Sequence, residues 1–266
     1  MKKVVSSEFN VIFVSSADTY ADLWPHFFEL FKINWPAFEG VIYLNTESLV
    51  FHYEGLDIRC TCVGSLGSFG KVFRAGLEKV NGNKLLLVMI DYFFMGQVDV
   101  SRLNVYSRSF DELGLDSLCL VPNPYRKTSP LEQYDLELVL PPSPDMFSYQ
   151  IAFWKKDVLR EMALPHESPW LSEWYGTARA NQMQLKLAFS KDGKTIPYLA
   201  EGALHKGKWV EPMVSYMKLI DHEVDYARRG YYVEEKPTLW NRFNQRLHTF
   251  WPRCLSVFDL FKRTFV

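Results

Sequence analysis

The run LLLVMI at residues 85–90 constrains this chain more than any other feature, and it ends on Asp91. Six consecutive apolar side chains leave no polar face, so the run predicts a strand buried on both sides. Such a strand belongs at the centre of a sheet. A carboxylate at its end either caps a turn or is presented at the open edge of that sheet. Both readings stand on the sequence alone.

The neighbouring segments supply the rest of the sheet. Residues 9–16 (FNVIFVSS), 40–47 (GVIYLNTE), 56–63 (LDIRCTCV) and 115–121 (LDSLCLV) read as strands. Between them, Leu23, Trp24, Phe27, Phe28, Leu30 and Phe31 recur at helical spacing, FGKVFRAGLEKV stops at Asn81-Gly82, and VDVSRLNVYSRSFDELG reads as helix. Alternating strands and helices predict an α/β fold with a mostly parallel sheet. Residues 122–150 are rich in proline and turn residues, with one short strand at 136–140. YQIAFW follows as a strand, then KKDVLREMA and SPWLSEWYGTARANQM as helices, the second capped by Ser168 with Pro169 in its first turn. A further helix carries Met213, Met217, Ile220, Val224 and Ala227.

The tail differs in character. Residues 1–230 read as the main domain and 231–266 as a basic, aromatic, amphipathic helical tail, in which Pro252 should introduce a kink. Trp240, Phe243, Leu247, Phe250, Trp251, Phe258, Phe261 and Phe265 fall near one face, with Arg242, Arg246, Arg253, Lys262 and Arg263 on the other. That pattern predicts a membrane-surface anchor over residues 238–266, or else a helix packed back on the domain.

Composition excludes several classes. Hydrophobic residues make up 48% and charged residues 23%, so the chain is globular. The net charge of -1 gives no basis for nucleic-acid binding. Aromatics reach 16%, a surplus that sugar-binding and membrane-contacting surfaces both use. No apolar run is long enough to span a bilayer, the first residues read as a strand rather than a leader, and the cytoplasm is the expected compartment. Cys60, Cys62, Cys119 and Cys254 read as reduced core thiols, since no second close pair completes a zinc site.

Common motifs fail. GSLGSFGK places Gly64 six positions before Gly70, and Val72 follows Lys71, so it is not a phosphate loop. No G-x-G-x-x-G follows the first strand, and neither G-x-S-x-G nor H-E-x-x-H occurs. DHEVD at 221–225 reads as a solvated helix face. What remains is a set of polar strand ends: Ser15, Ser16 and Asp18 after the first strand, Asn45, Thr46 and Glu47 after the second, and Asp91 after the central one. Open α/β sheets bind ligands beyond their carboxyl ends, so these groups are candidates to frame a nucleotide.

Taken in order, VSSADTYADLWPHFFELFKINWP, IYLNTE, LLLVMIDYFF with its following VD, YQIAFWKKDVL, SPWLSEWYG and GALHKGKW resemble the segments of a bacterial family. This is a family of GT-A-type glycosyltransferase-like proteins linked to lipopolysaccharide and capsule synthesis. The resemblance covers about residues 10–210. It implies a GT-A-like fold, a nucleotide-sugar donor (a UDP-sugar first), a divalent metal (Mn²⁺ or Mg²⁺) and hexose transfer to a glycan or glycolipid acceptor. It also implies residue roles. An Asp-Asp-Phe-Phe motif appears here as Ile90-Asp91-Tyr92-Phe93, keeping one acid, so Asp91 would act in catalysis and as a metal ligand. HKGKW resembles a late loop whose His joins the metal and whose Lys meets the diphosphate, which gives His205 and Lys208; the same letters also make a plain β-turn. Glu173 would be the catalytic base, and Gln150, Trp154 and Trp170 would line the sugar or acceptor pocket, either Trp being equally suited to the core. The implied enzyme works at the inner face of the bacterial inner membrane. Alternatives are a degenerate transferase that binds without turnover, a nucleotidyltransferase, and a membrane-peripheral scaffold.

Overall fold

A computed structural model describes residues 9–234 and 239–264, with the side chains of 239–248 excepted. Its centre is a nine-stranded mixed sheet in the order β3-β2-β1-β4-β8-β5-β9-β7-β6. β1 (Val11–Ser15), β2 (Val41–Leu44), β3 (Asp57–Cys60) and β4 (Lys84–Met89) are mutually parallel. β8 (Ala152–Lys155) runs antiparallel between β4 and β5 (Ser117–Cys119). β9 (Leu187–Ser190) is parallel to β5, and β7 (Leu136–Val139) and β6 (Thr128–Leu131) close that edge antiparallel. The expected parallel sheet is therefore half of the picture. The turn-rich stretch 122–150, expected to hold one short strand, forms a hairpin that extends the sheet.

The alternation of β4 explains why it sits centrally. Leu86 and Val88 enter one apolar cluster and Leu85 and Leu87 enter the other, all nearly inaccessible. The first cluster joins that face to α1 (Trp24–Asn34), α3 (Val100–Glu112) and α6 (Glu211–Leu219). The second joins the opposite face to α2 (Phe69–Lys79), α4 (Lys156–Met162) and α5 (Pro169–Gln182). Helices on both faces satisfy a strand with no polar side.

Local chemistry sets several helix ends. The Ser168 hydroxyl accepts from the Leu171 amide and Pro169 opens α5, as the sequence predicts. Asp99 accepts from the Arg102 amide and starts α3. The helix expected through Met213 and Ala227 stops instead at Leu219, and a short 3-10 turn (Tyr226–Arg228) follows, because Asp221 takes a positive φ of 53°. DHEVD lies in that break.

α7 (Leu239–Thr264) is one helix with Pro252 inside it, so the expected kink does not divide it. It packs against α5. Ser256 is fully buried there, donating to a Glu167 carboxylate oxygen at 2.6 Å and lying 3.0 Å from His166 Nε2. Arg263 bonds Asp259 at 2.8 Å and Glu161 at 3.3 Å. The opposite face presents Phe250, Trp251, Val257, Phe258 and Phe261, each 54–67% exposed. Trp240, Phe243, Leu247, Arg242, Arg246 and Phe265 fall outside the described side chains. No described helix is long and apolar enough to cross a membrane. All four cysteines are free, but only Cys119 is buried; Cys62 turns to solvent through a positive φ of 46° just past β3.

Candidate functional site

The chain leaves β1 toward β2 and β3, then returns to place β4 on the other side of β1. The carboxyl ends of β1 and β4 thus form the switch point where open sheets leave a crevice. Ser15 pairs with Met89, and the Ile90 amide donates to the Ser15 carbonyl at 3.0 Å. Asp91 follows directly, at this switch point.

Asp91 has no ion pair, and no side-chain hydrogen bond to another residue, among the described residues. Burial raises its pKa from 3.8 to about 6. Its carbonyl accepts from the Ala203 amide at 2.8 Å, tying it to the segment that leads into β10 (Leu204–His205) and β11 (Lys208–Trp209). Gly202 makes that approach possible: it has a φ of +82°, and a Cβ there would lie 2.6 Å from Asp91 Oδ2. His205 and Lys208 face each other across the two-residue turn Lys206-Gly207, where both φ values are positive. His205 is exposed and meets the Tyr232 ring edge-on at 4.3 Å.

The other strand-end candidates are occupied internally. Asp18 accepts from the amides of Glu47, Ser48 and Leu49 at 2.9–3.1 Å and from the Ser48 hydroxyl at 2.6 Å. Burial would raise its pKa, but these bonds outweigh burial and hold it below the usual value. Asn45 is 1% exposed, accepting from Thr61 at 2.9 Å, and a Cβ on Gly76 would fall 2.0 Å from its Oδ1. Thr46 is inaccessible and its hydroxyl accepts from the Cys62 amide. Ser15 is buried, and the Ser16 hydroxyl accepts from Trp24 Nε1 at 2.8 Å. Of this group Ser16, Asp18 and Glu47 are partly open, and Ser15, Asn45 and Thr46 are buried. The oxygens of Asp18, Asn45 and Thr46 are thus engaged in holding the loops around them.

A second region is open. A pocket of about 800 Å³ brings together Gln150, Trp170 and Glu173 with Tyr125, Arg126 and Trp174. Glu173 Oε1 accepts from the Tyr149 amide at 2.8 Å. Burial raises its pKa, the Tyr149 amide partly offsets this, and the Asp145 charge adds to the rise. Trp170 and Trp174 are 70% and 78% exposed. Their four-residue spacing on α5 puts both on one face, a signal the sequence offered for Trp174. Gln150 donates to the Ala200 carbonyl at 3.0 Å and accepts from the Tyr198 hydroxyl at 2.7 Å.

The two regions adjoin. Tyr92 packs on Tyr198 with ring centres 5.0 Å apart, and its pKa is raised first by burial and then by the charges of both Asp91 and Glu173. Trp154 does not join them. It is 2% exposed, packed on Phe147 at 5.6 Å, and is a core residue. Arg126 was missed because nothing in the turn-rich segment around it signals a pocket.

No protein-family model matches the chain, and no curated protein matches it. Solved structures do. Staphylococcus aureus TarS residues 1–349 in complex with UDP is 16% identical over 69% of this chain and 58% of that one, with a TM-score of 0.48. The same TarS segment in a second structure is 14% identical over 68% and 59%, with a TM-score of 0.43. The 2-C-methyl-D-erythritol 4-phosphate cytidylyltransferase of Thermus thermophilus is 14% identical over 80% and 99%, also at 0.43. The chain spans less than three fifths of those TarS structures.

Proposed function

We propose that this chain is a GT-A-type glycosyltransferase. It moves a hexose from a nucleotide sugar, a UDP-sugar first, onto a glycan or lipid-linked acceptor of bacterial surface polysaccharide synthesis. The observation that carries the reading is Glu173. A carboxylate with a raised pKa at an aromatic-walled pocket, adjoining a second uncompensated carboxylate at the sheet's switch point, suits transfer between two bound substrates.

In this reading the donor lies across the β1/β4 crevice, with Glu47 at its rim and Lys208 from the hairpin at its diphosphate. Asp18, Asn45 and Thr46 act indirectly, by holding the loop beside it. The acceptor enters the pocket, where Trp170 and Trp174 offer faces for sugar rings and Gln150 a polar contact. Glu173 takes the acceptor hydroxyl proton as the new glycosidic C–O bond forms and the bond to the nucleoside diphosphate breaks. Attack from the side opposite the diphosphate inverts the anomeric centre.

Among the described residues no three His, Cys, Asp or Glu side chains converge to cage an ion. The donor chemistry at Asp91 still suits one: a hard oxygen with no neutralising cation beside it. Asp91, with His205 from the adjoining hairpin, would hold Mn²⁺ or Mg²⁺ together with the donor's phosphate oxygens. Such an ion, when bound, supplies positive charge to the leaving diphosphate.

The exposed aromatic stripe of α7 supports a place at the inner membrane surface. The helix spends one face on docking and turns Phe250, Trp251 and Phe258 away from the domain, with Arg253 and Lys262 beside them.

The alternative reading is a degenerate binder. Ile90 is 4% exposed in the core where the resembling motif carries its first acid. Thermal shift of the full chain against UDP, GDP, CMP and dTDP, with and without Mn²⁺, tests both. A Mn²⁺-dependent rise with one nucleotide, lost in Asp91→Ala, is expected. No rise with any nucleotide in a folded protein ends the transferase reading; a rise without release of nucleoside diphosphate from any nucleotide sugar favours the binder.

A further inference from the structure

Among the described residues, Arg126 stands apart from the other cations. It is only 9% exposed, yet among the described residues no carboxylate comes within 4 Å of it. Arg179, the other deeply buried guanidinium, is answered by Glu167 at 2.6 Å. Arg126 instead donates from Nε to the Asp145 backbone carbonyl at 2.7 Å and rests over the Phe189 ring at 5.6 Å. Its terminal nitrogens have no hydrogen-bond partner among the described residues. Burial lowers its pKa, and the charges of Cys119 and Asp145, neither in contact with it, offset that only in part.

A buried charge costs stability unless something compensates it. Arg126 lines the same 800 Å³ pocket as Glu173. Its planar fork matches the two oxygens of a carboxylate or phosphate in a way a lysine does not. The pocket also holds Asp145 and Glu173, which disfavour a bare inorganic anion. A ligand that satisfies all three has neutral hydroxyls for the two acids and one anionic group for the guanidinium.

We propose that Arg126 makes this pocket selective for an anionic acceptor, a sugar bearing a carboxylate or a phosphate. This rests on the reading of the pocket as the acceptor site. Asp145 lies at the pocket's exposed rim and fixes Arg126 through its carbonyl, so the anionic group seats inward of it and the sugar face lies toward Trp170 and Trp174.

Calorimetric titration of the full chain with D-glucuronate, D-glucose 6-phosphate and D-glucose, at one fixed ionic strength, tests the proposal. At least one anionic sugar should bind about tenfold or more tightly than glucose. The tighter of the two identifies carboxylate or phosphate as the natural group. Arg126→Met should bring the anionic sugars to the level of glucose, and Arg126→Lys should retain part of the preference. Glucose binding as tightly as both anions overturns the proposal, as does binding by none of the three or a preference that survives in Arg126→Met. Should Arg126→Met fail to fold, the ranking of the three probes on the unmodified chain decides alone. The UDP thermal shift separates the failures: with it intact, only the anionic selectivity falls; with it absent, the transferase reading falls too.

Discussion

The β1/β2 strand ends and the α5 pocket hold similar polar residues in opposite conditions. Asp18 accepts four hydrogen bonds, and Asn45 and Thr46 are closed off beneath the loop that Thr61 and Cys62 complete. Across the sheet's switch point, Asp91, Glu173 and Arg126 have one side-chain bond or none to other residues among those described, and each has its pKa displaced by burial toward the neutral form. Polar groups satisfied inside the protein stabilise it and have little left for a ligand. Groups held unsatisfied cost stability, and a ligand can recover that cost. α7 repeats the contrast on one helix: Ser256 is consumed in docking, while the aromatic face is left open.

Substitutions should therefore separate activity from stability. The largest effect is expected at Glu173. Glu173→Gln should slow release of nucleoside diphosphate from the nucleotide sugar by about 10²–10⁴-fold with the melting temperature little changed. Unchanged turnover would remove Glu173 as the base.

Asp91→Asn should stabilise the protein while impairing it. The folded pKa of about 6 lies above the unfolded 3.8, so the wild type loses stability as pH rises through that window and carries the full cost above it. The Asn variant should be more stable at pH 8 by up to about 3 kcal/mol, and the gain should vanish near pH 3. Denaturant melts across pH check this; a gain independent of pH would mean Asp91 is not the titrating group.

Asn45→Ala should do the reverse. It removes buried hydrogen bonds and should cost about 1–3 kcal/mol, leaving the UDP response of the surviving folded protein intact. Loss of UDP binding without loss of stability would return Asn45 to the nucleotide site and dissolve the comparison. Smallest of all is the stability change from Phe258→Ser on the open face of α7, within about 0.5 kcal/mol. The same change should reduce flotation of the full chain with vesicles containing anionic lipid. Equal flotation of wild type and variant would argue that the stripe serves something other than a bilayer.

Some of this was legible without coordinates. LLLVMI had no polar face, so a central strand was forced, and its neighbours' periodicities placed the flanking helices. The caps of α5 followed from Ser168 and Pro169, and the part of the α7 aromatic face made by Phe250, Trp251, Phe258 and Phe261 from spacing. The candidate site was legible only as residue types. Asn45 and Glu173 read alike as polar groups beside strand or helix ends. Whether a side chain is already satisfied depends on partners distant in sequence, such as Thr61 for Asn45 and Tyr149 for Glu173, which spacing does not reveal.

The sequence by itself determined most of the strands and helices, because burial of apolar faces follows a local period of 2 or 3.6, but not β6, β9 or the end of α6 at Leu219. The tertiary structure alone decided which polar groups remain available. It brought β4 back beside β1, set Asp91 at that switch point, enclosed Asn45 under Gly76, and seated Arg126 in the pocket of Glu173 with no carboxylate in contact among the described residues. Burial and hydrogen bonding are properties of neighbours in space, and they sort one Asp or Arg from another only after the chain has closed around it.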